Sequence, residues 1–345
     1  MQESIDLSHG AGGLKMDQLL SFISERITYK KVIDGIGNIG VDALDDGAII
    51  SKLNFQDSDV IVTTDGHSVD PLNFPGGDIG KLSICGTLND VLMMGGIPIA
   101  ITSALFIEEG FLFSDLDAIL RSMNQVLEEN KVPIIAGDTK VLPKGTVDKL
   151  LIVTTGIGKR IKNHPVLDSA SRPGDKIILT GPVGSHGISL LSFRKGMEFS
   201  TNLQSDVNYL GPLLLPLITK YPVHTMKDPT RGGFASALNE ISSKSNASLY
   251  LDEEKIPIDP AVRSASEMLG LDPFEITCEG QAIITLPAEY AEDFVKELQK
   301  HELGKFASIV GEVKSDNPGK VFLNTSVGGL RRLQKPVGEM IPRVC

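Results

Sequence analysis

The chain has 345 residues, 33 Lys and Arg against 44 Asp and Glu, a formal net charge of −11 and 41% hydrophobic residues. At roughly 100–200 residues per domain this length predicts two domains, with enough buried surface to need neither disulfides nor a structural metal. The near-average charged fraction of 22% excludes a disordered chain, and the acidic balance excludes a nucleic-acid partner, which needs a basic face.

The opening MQESIDLSHGAGG has neither the basic head nor the apolar core of a secretory signal. It leads into a predicted helix over 14–26, where Met16, Leu19, Leu20, Ile23 and Ile27 recur at helical spacing. His9, Gly10, Gly12 and Gly13 precede that helix, and glycines there expose N–H groups that bind phosphate oxygens; a plain N-terminal turn is the alternative. The GIGNIG at 35–40 matches a dinucleotide fingerprint, but only six residues separate it from Gly47, so no helix opens after it and it reads as a loop. Strands are predicted at 48–52, 60–64, 99–106, 150–156, 176–179, 248–251, 282–286 and 308–313. Further helices are predicted at 113–129, 234–242 and 288–301, which makes the fold class mixed α and β. The longest charge-free apolar run, 91–107, is broken by Gly95, Gly96 and Pro98 and is shorter than the ~20 residues of a membrane helix. A cytoplasmic protein without a membrane partner is expected. The basic, proline-containing stretch 158–175 reads as a hinge, dividing the chain into 1–160 and 161–334, with 335–345 as a mobile tail.

Aspartates emerge from apolar runs: Asp45 and Asp46 before the strand at 48, Asp65 at the end of VIVTTD, Asp90 beside Asn89, and Asp138 after PIIAG. Burying such charges is costly, and Mg²⁺ on a nucleotide triphosphate relieves the cost. Lys140, after Gly137-Asp138-Thr139, would point a cation at whatever that loop binds. Glu279-Gly280 precedes a strand, and DPTRGG at 228–233 starts a helix as either a second anion site or a cap. Cys345 ends the chain as a thiol on a swinging arm; its own carboxylate disfavours the thiolate and Arg343 favours it. Cys85 and Cys278 read as packed small hydrophobes, and three widely spaced cysteines form no disulfide framework. His67, His164, His186, His224 and His301 show no ligand spacing and read as structural.

HGAGG, DDGA, TTDGHSVDPLNFPGGDIGKL, CGTLNDVLMMGG, AGDTKV, DPTRGG, CEG and the terminal PRVC occur in that order. Together they resemble the HypE family of hydrogenase maturation proteins, the carbamoyl dehydratases. That family belongs to the ATP-binding superfamily of aminoimidazole ribonucleotide synthetase, selenophosphate synthetase and thiamine-phosphate kinase. The resemblance implies a two-domain α/β (α+β) fold whose N-terminal domains pair in a homodimer, with ATP at the domain and subunit clefts. It also implies that the carbamoyltransferase HypF loads a carbamoyl group onto Cys345. ATP then drives dehydration to a thiocyanate, and the cyanide passes to an iron-carrying HypC–HypD complex for the NiFe site. In this resemblance Cys345, Lys140 and Glu279 are catalytic, with Glu279 the base and Lys140 the orienting cation. His9, Gly10, Gly12, Gly13, Asp46, Asp65, Gly66, Lys81, Asn89, Asp138 and Thr139 would hold ATP. Asp45, Asp65, Asp90 and Asp138 would hold Mg²⁺. A sister enzyme is the nearest competitor, but selenophosphate synthetase needs a cysteine or selenocysteine in its N-terminal glycine loop, and none precedes Cys85. A non-catalytic ATP-binding thiol carrier would need Cys345 and no base.

Overall fold

Two mixed sheets organise the chain in a computed structural model that describes residues 13–18, 21, 48–55, 58–161, 166–195 and 203–337. The first contains β1 (Ala48–Phe55), β2 (Ser58–His67), β5 (Gly96–Glu108), β6 (Ile134–Leu142) and β7 (Leu150–Arg160) in the order β1-β2-β7-β5-β6. Its pairs are antiparallel except β5 with β6. A small hairpin, β3 (Asn73–Phe74) and β4 (Gly77–Asp78), leads into α1 (Ile79–Met93), and α2 (Phe113–Asn130) joins β5 to β6. Both helices cover one face of the sheet, so β7 alternates buried and half-buried residues along its length.

The second sheet has the order β14-β13-β10-β12-β8-β11-β9. Its strands are β8 (Asp175–Leu179), β9 (Thr225–Lys227), β10 (Ser248–Asp252), β11 (Ile283–Pro287), β12 (Ser308–Lys314), β13 (Val321–Asn324) and β14 (Leu330–Leu333). Around it lie α3 (Ser185–Lys195), α4 (Gly211–Ile218), α5 (Gly233–Ser245), α6 (Pro260–Leu269) and α7 (Ala288–Leu298).

Helix α1 joins the halves. The Asp78 carboxylate caps it by accepting from the Lys81 N–H at 2.8 Å. Every residue of α1 is buried except Lys81 and Asp90, because the first sheet and α2 flank one side and α4 packs on the other. Leu82, Leu88 and Leu92 therefore share one core with Leu210, Leu214 and Met226 from the second half. Burying each such side chain contributes about 1.5–3 kcal/mol, so the two halves form one continuous hydrophobic body. A second core behind the other sheet holds Phe234, Leu238, Leu249 and Phe274.

Each predicted strand has a counterpart, extended by a few residues. The stretch carrying Asp138, Thr139 and Lys140, read as a loop, is the edge strand β6; its parallel pairing with β5 comes from a distant segment with no local signature. Of the stretch read as a hinge, Gly158, Lys159 and Arg160 belong to β7, where Arg160 is ion-paired with Asp59. Asp168, in the same stretch, is buried and ion-paired. Helices α1, α3, α4 and α6 and strands β3, β4, β9, β13 and β14 were not anticipated. The predicted helix at 14–26 is described only at its start, and the GIGNIG loop lies outside the described residues.

Among the described residues, no helix is long and apolar enough to cross a membrane.

Candidate active site

A cleft of about 840 Å³ opens between the two sheets. On one side, alternation along β2 turns Thr63, Asp65 and His67 toward α1, which presents Asp90, one of its two unburied residues. Asp90 Oδ2 accepts from the Thr63 hydroxyl at 2.9 Å, and Asp65 Oδ1 accepts from the Gly66 N–H at 2.9 Å. His67 Nε2 lies 3.0 Å from Thr154 Oγ1 and 3.7 Å from Asp65 Oδ2. Burial lowers the His67 pKa against the pull of Asp65, so a neutral ring sits beneath the carboxylate.

The facing wall comes from the second half. Asp228, Thr230 and Arg231 precede α5, where Gly232 and Gly233 both take positive φ, a conformation that side chains resist. The resulting turn places the Arg231 guanidinium 3.7 Å from Asp65 Oδ1. Glu279 enters the cleft from the segment before β11 and is only 7% exposed. It is held by its backbone: Asp206 accepts from the N–H groups of Glu279 at 3.2 Å and Gly280 at 3.3 Å. A Cβ on Gly280 would fall on the Asp206 carbonyl, so only glycine permits this approach. Burial raises the Asp206 carboxyl to about 6 against these hydrogen bonds. Glu279 is also raised, well above its ordinary value, first by burial and then by Asp228, Asp206 and Asp65, with Arg231 opposing. Around Glu279, the carboxylates of Asp228, Asp206 and Asp65 are opposed by Arg231, so this end of the cleft has a deficit of positive charge.

That deficit tests the expected Mg²⁺. Among the described residues, no three His, Cys, Asp or Glu side chains come close enough to hold a metal by themselves. Asp65 and Asp90 do share the cleft, and Mg²⁺ is commonly bound through one or two carboxylates, with phosphates and waters completing its shell. The donor set fits a nucleotide-borne ion.

The other expected site residues are dispersed. Asn89 faces away from the cleft toward the second half: its amide donates to the Asn208 carbonyl at 2.9 Å and accepts from the Leu210 N–H at 2.9 Å, which ties the two halves together. Lys81 lies nine residues before Asp90 on α1, roughly 14 Å along the axis, and its ammonium donates to the Gly76 carbonyl at 3.3 Å. Asp138, Thr139 and Lys140 are exposed on β6, three strands from β2 in the sheet order. Register places Asp138 opposite Ala104 and Lys140 opposite Phe106, on the sheet face that α1 and α2 leave uncovered. Gly13 is described and packs against the Pro336 carbonyl. His9, Gly10, Gly12, Asp45, Asp46 and Cys345 lie outside the described residues.

One cleft wall escaped sequence reasoning. Lys227 is 5% exposed, 3.3 Å from Asp168 and 3.3 Å from Glu240, and Lys244 donates to Asp168 at 2.7 Å. Nothing in the sequence marks this network, because Asp168 and Lys244 are 76 residues apart. Burial pushes the Asp168 carboxyl up, but the two lysines more than reverse it and its pKa is lowered. A depressed folded-state pKa stabilises above the ordinary aspartate value of ~3.9 and is lost as pH falls through the folded one. Asp168→Asn takes the shared buried carboxylate away from Lys244 and leaves Lys227 to Glu240, and is expected to cost about 3 kcal/mol at pH 7. Urea unfolding at pH 7 and at successively lower pH checks this, the gap between variant and parent closing as Asp168 protonates.

Family models match both halves: "AIR synthase related protein, N-terminal domain" over residues 44–160 and its C-terminal domain over 172–324. The chain is 40% identical over 343 residues to the carbamoyl dehydratase HypE of Rhizobium leguminosarum bv. viciae, covering 99% of this chain and 95% of that one. A crystal structure of hydrogenase maturation protein HypE in complex with ATP superposes with a TM-score of 0.81 at 35% identity, over 99% of this chain and 100% of that one. HypE in a HypE–HypF complex gives a TM-score of 0.84 at 38% identity, over 92% of this chain and 99% of that one.

Proposed function

The chain belongs to the carbamoyl dehydratase HypE family of AIR synthase related proteins, and from that premise we propose that it uses ATP to dehydrate a carbamoyl group carried on its own Cys345 sulfur. The observation that carries this reading is one cleft holding Asp65, Asp90, Arg231 and the buried Glu279, whose pKa is raised, with Val337 at its mouth. Eight residues follow Val337, a reach of up to roughly 26–29 Å, so the terminal sulfur can enter the cleft of its own chain.

A carbamoyl oxygen is a poor leaving group. In the proposed sequence it attacks the γ-phosphorus of ATP and releases ADP. The C–O bond of that O-phosphorylated intermediate then breaks, inorganic phosphate departs, and loss of two N–H protons leaves S–C≡N. Phosphoryl transfer depends mainly on positioning and charge neutralisation. Arg231 supplies a fixed cation beside Asp65. Mg²⁺, held by Asp65 and Asp90, supplies further neutralisation of phosphate charge when bound. Glu279 takes a carbamoyl N–H proton once cations in the filled cleft have lowered its pKa, with Lys140 the orienting cation.

A homodimer accounts for the position of Lys140. The open face of the first sheet carries half-buried Val62, Ala104, Phe106, Val153 and Ile157, and exposed Ile135 and Val141 lie on its edge strand. A second copy packed there would cover this surface and bring its Asp138, Thr139 and Lys140 toward a neighbouring cleft. HypF would load Cys345, as the relative's HypE–HypF complex suggests, and HypC–HypD would accept the cyanide. A cytoplasmic location keeps the thiol reduced.

Intact mass of the chain after incubation with the carbamoyltransferase and its carbamoyl donor tests the reading. A carbamoyl adduct that loses the mass of one water only on addition of Mg-ATP is expected. An adduct that never dehydrates would leave a thiol carrier instead.

A further inference from the structure

The carboxylate that catches the Glu279 backbone belongs to a segment anchored in both halves of the chain. Residues 205–210 lie outside both sheets and lead into α4. At one end the Ser205 N–H donates to the Pro75 carbonyl of the first half at 2.8 Å. The Ser205 hydroxyl oxygen accepts from the Val207 N–H at 3.0 Å and lies 2.6 Å from His186 Nδ1. Next comes Asp206, on which the N–H groups of Glu279 and Gly280 end; its carbonyl accepts from the Asn208 amide at 3.2 Å. At the other end the Asn89 side chain of α1 holds the Asn208 carbonyl and the Leu210 N–H, both at 2.9 Å. Packing leaves the segment little slack. A Cβ on Gly76 would lie 2.8 Å from the Ser205 carbonyl oxygen, and one on Gly280 would fall on the Asp206 carbonyl. Asn89 is 1% exposed, and neither it nor Asp206 lines the cleft.

The geometry points to Asn89 and Asp206 as positioning residues that, through residues 205–210, register Glu279 of the second half against Asp65 and Asp90 of the first. This role rests on the functional reading above, in which Glu279 takes a proton from a carbamoyl group beside the nucleotide. Glu279 precedes β11 and lies outside its ladder, so the sheet does not aim it; its N–H and that of Gly280 are aimed by Asp206. Asn89 and Asp90 are consecutive on α1, so the grip on Asn89 fixes the base relative to the helix that carries Asp90. A base must come within hydrogen-bond reach of the proton it removes, and a displacement of about 1 Å can cost ~10²-fold in rate. Asn89 carries no charge, so replacing it moves Glu279 without altering the field around it.

Single-turnover loss of water from the carbamoylated full chain at saturating Mg-ATP, followed by intact mass, tests this role. Asn89→Ala is expected to slow that step by ~10–100-fold, while carbamoylation and affinity for the β,γ-methylene analogue of ATP stay close to the parent's. Asp206→Asn keeps the shape of the side chain and serves as the second measure should Asn89→Ala fold poorly; slowing of at least about 10-fold is expected. Removing the Asp206 charge by itself favours ionised Glu279, so slowing there reports position. In a Glu279→Gln background, Asn89→Ala is expected to change the rate by less than about 3-fold, because a residue that acts through another has no effect once the other is gone. Ser189→Ala removes a different contact between the halves, the Ser189 hydroxyl to the Pro75 carbonyl at 3.2 Å, and is expected to keep the parent rate. Parent-like rates in both Asn89→Ala and Asp206→Asn would overturn the positioning role and leave Glu279 as the base. Equal slowing by Asn89→Ala in the parent and Glu279→Gln backgrounds, or equal slowing by Ser189→Ala, would also overturn it, since general loosening of the halves would then be at work. No water loss in the parent chain would remove the functional reading, and the positioning role with it.

Discussion

Glu279→Gln is expected to lower thiocyanate formation by roughly 10²–10⁴-fold, the usual contribution of a positioned general base, with no loss of stability. The two halves of this expectation have one cause. Burial first, then the nearby carboxylates, raise the Glu279 pKa well above its ordinary value. Between the ordinary value of ~4.3 and the raised one, the folded chain binds a proton that the unfolded chain has released. Stability from this group is therefore complete below the lower value and falls as pH rises through the window. Glutamine cannot ionise and escapes this penalty. At pH 7–8 the variant should melt at or above the parent temperature, although Glu279 is only 7% exposed. Activity of the parent should rise with pH along one limb, governed by Glu279 in the filled cleft, and Glu279→Gln should lack it. Thermal unfolding and single-turnover product formation from pH 5 to 9 read both effects. A variant with parent-like turnover would remove Glu279 as the base of the mechanism.

Cys345→Ala is expected to abolish the carbamoyl adduct and the thiocyanate altogether, with nucleotide binding retained. No other described sulfur can substitute. Cys85 is buried, and burial pushes its thiol up to about 12. Cys278 is adjacent to Glu279, yet it is fully buried and raised well above its usual range, first by burial and then by Asp206, with the Gly184 N–H opposing. A thiolate is the nucleophile in sulfur chemistry, and neither buried group supplies one at neutral pH. Intact mass and peptide mapping of the variant after carbamoylation give the measurement; an adduct on Cys85 or Cys278 would sink the assignment. Retained analogue binding would separate loss of the acceptor from loss of the site.

Most strands of both sheets were legible, because they are short runs rich in β-branched and other apolar residues. The amphipathic helix α2 was equally clear, since Ile119, Met123, Val126 and Leu127 form its single buried stripe. Helix α1 failed the same test for a physical reason. Flanked on both sides, it has only Lys81 and Asp90 unburied and thus no polar face to generate a period. Part of its continuation into β5 instead read as one broken apolar run. Asp65, Asp90 and Glu279 stood out as acids at the ends of, or within, apolar segments, and the structure brings all three to one cleft. Asn89, beside Asp90, gave the same signal, but its side chain joins the two halves of the chain. Neighbours on a helix point about 100° apart, and residue type alone does not say which faces a cleft.

Residue order and spacing were enough to establish the mixed fold class, the family and the chemical groups available for phosphate and thiol chemistry. Which of those groups act together was decided in three dimensions. Lys227 meets Asp168, Arg231 meets Asp65, and Lys335 meets Asp17 only after β strands and α1 have brought distant segments together. Coulomb attraction and desolvation depend on ångström distances and on the surrounding dielectric. Neither quantity exists along an unfolded chain, so the raised pKa of Glu279 and the ionic wall beside it are properties of the folded molecule.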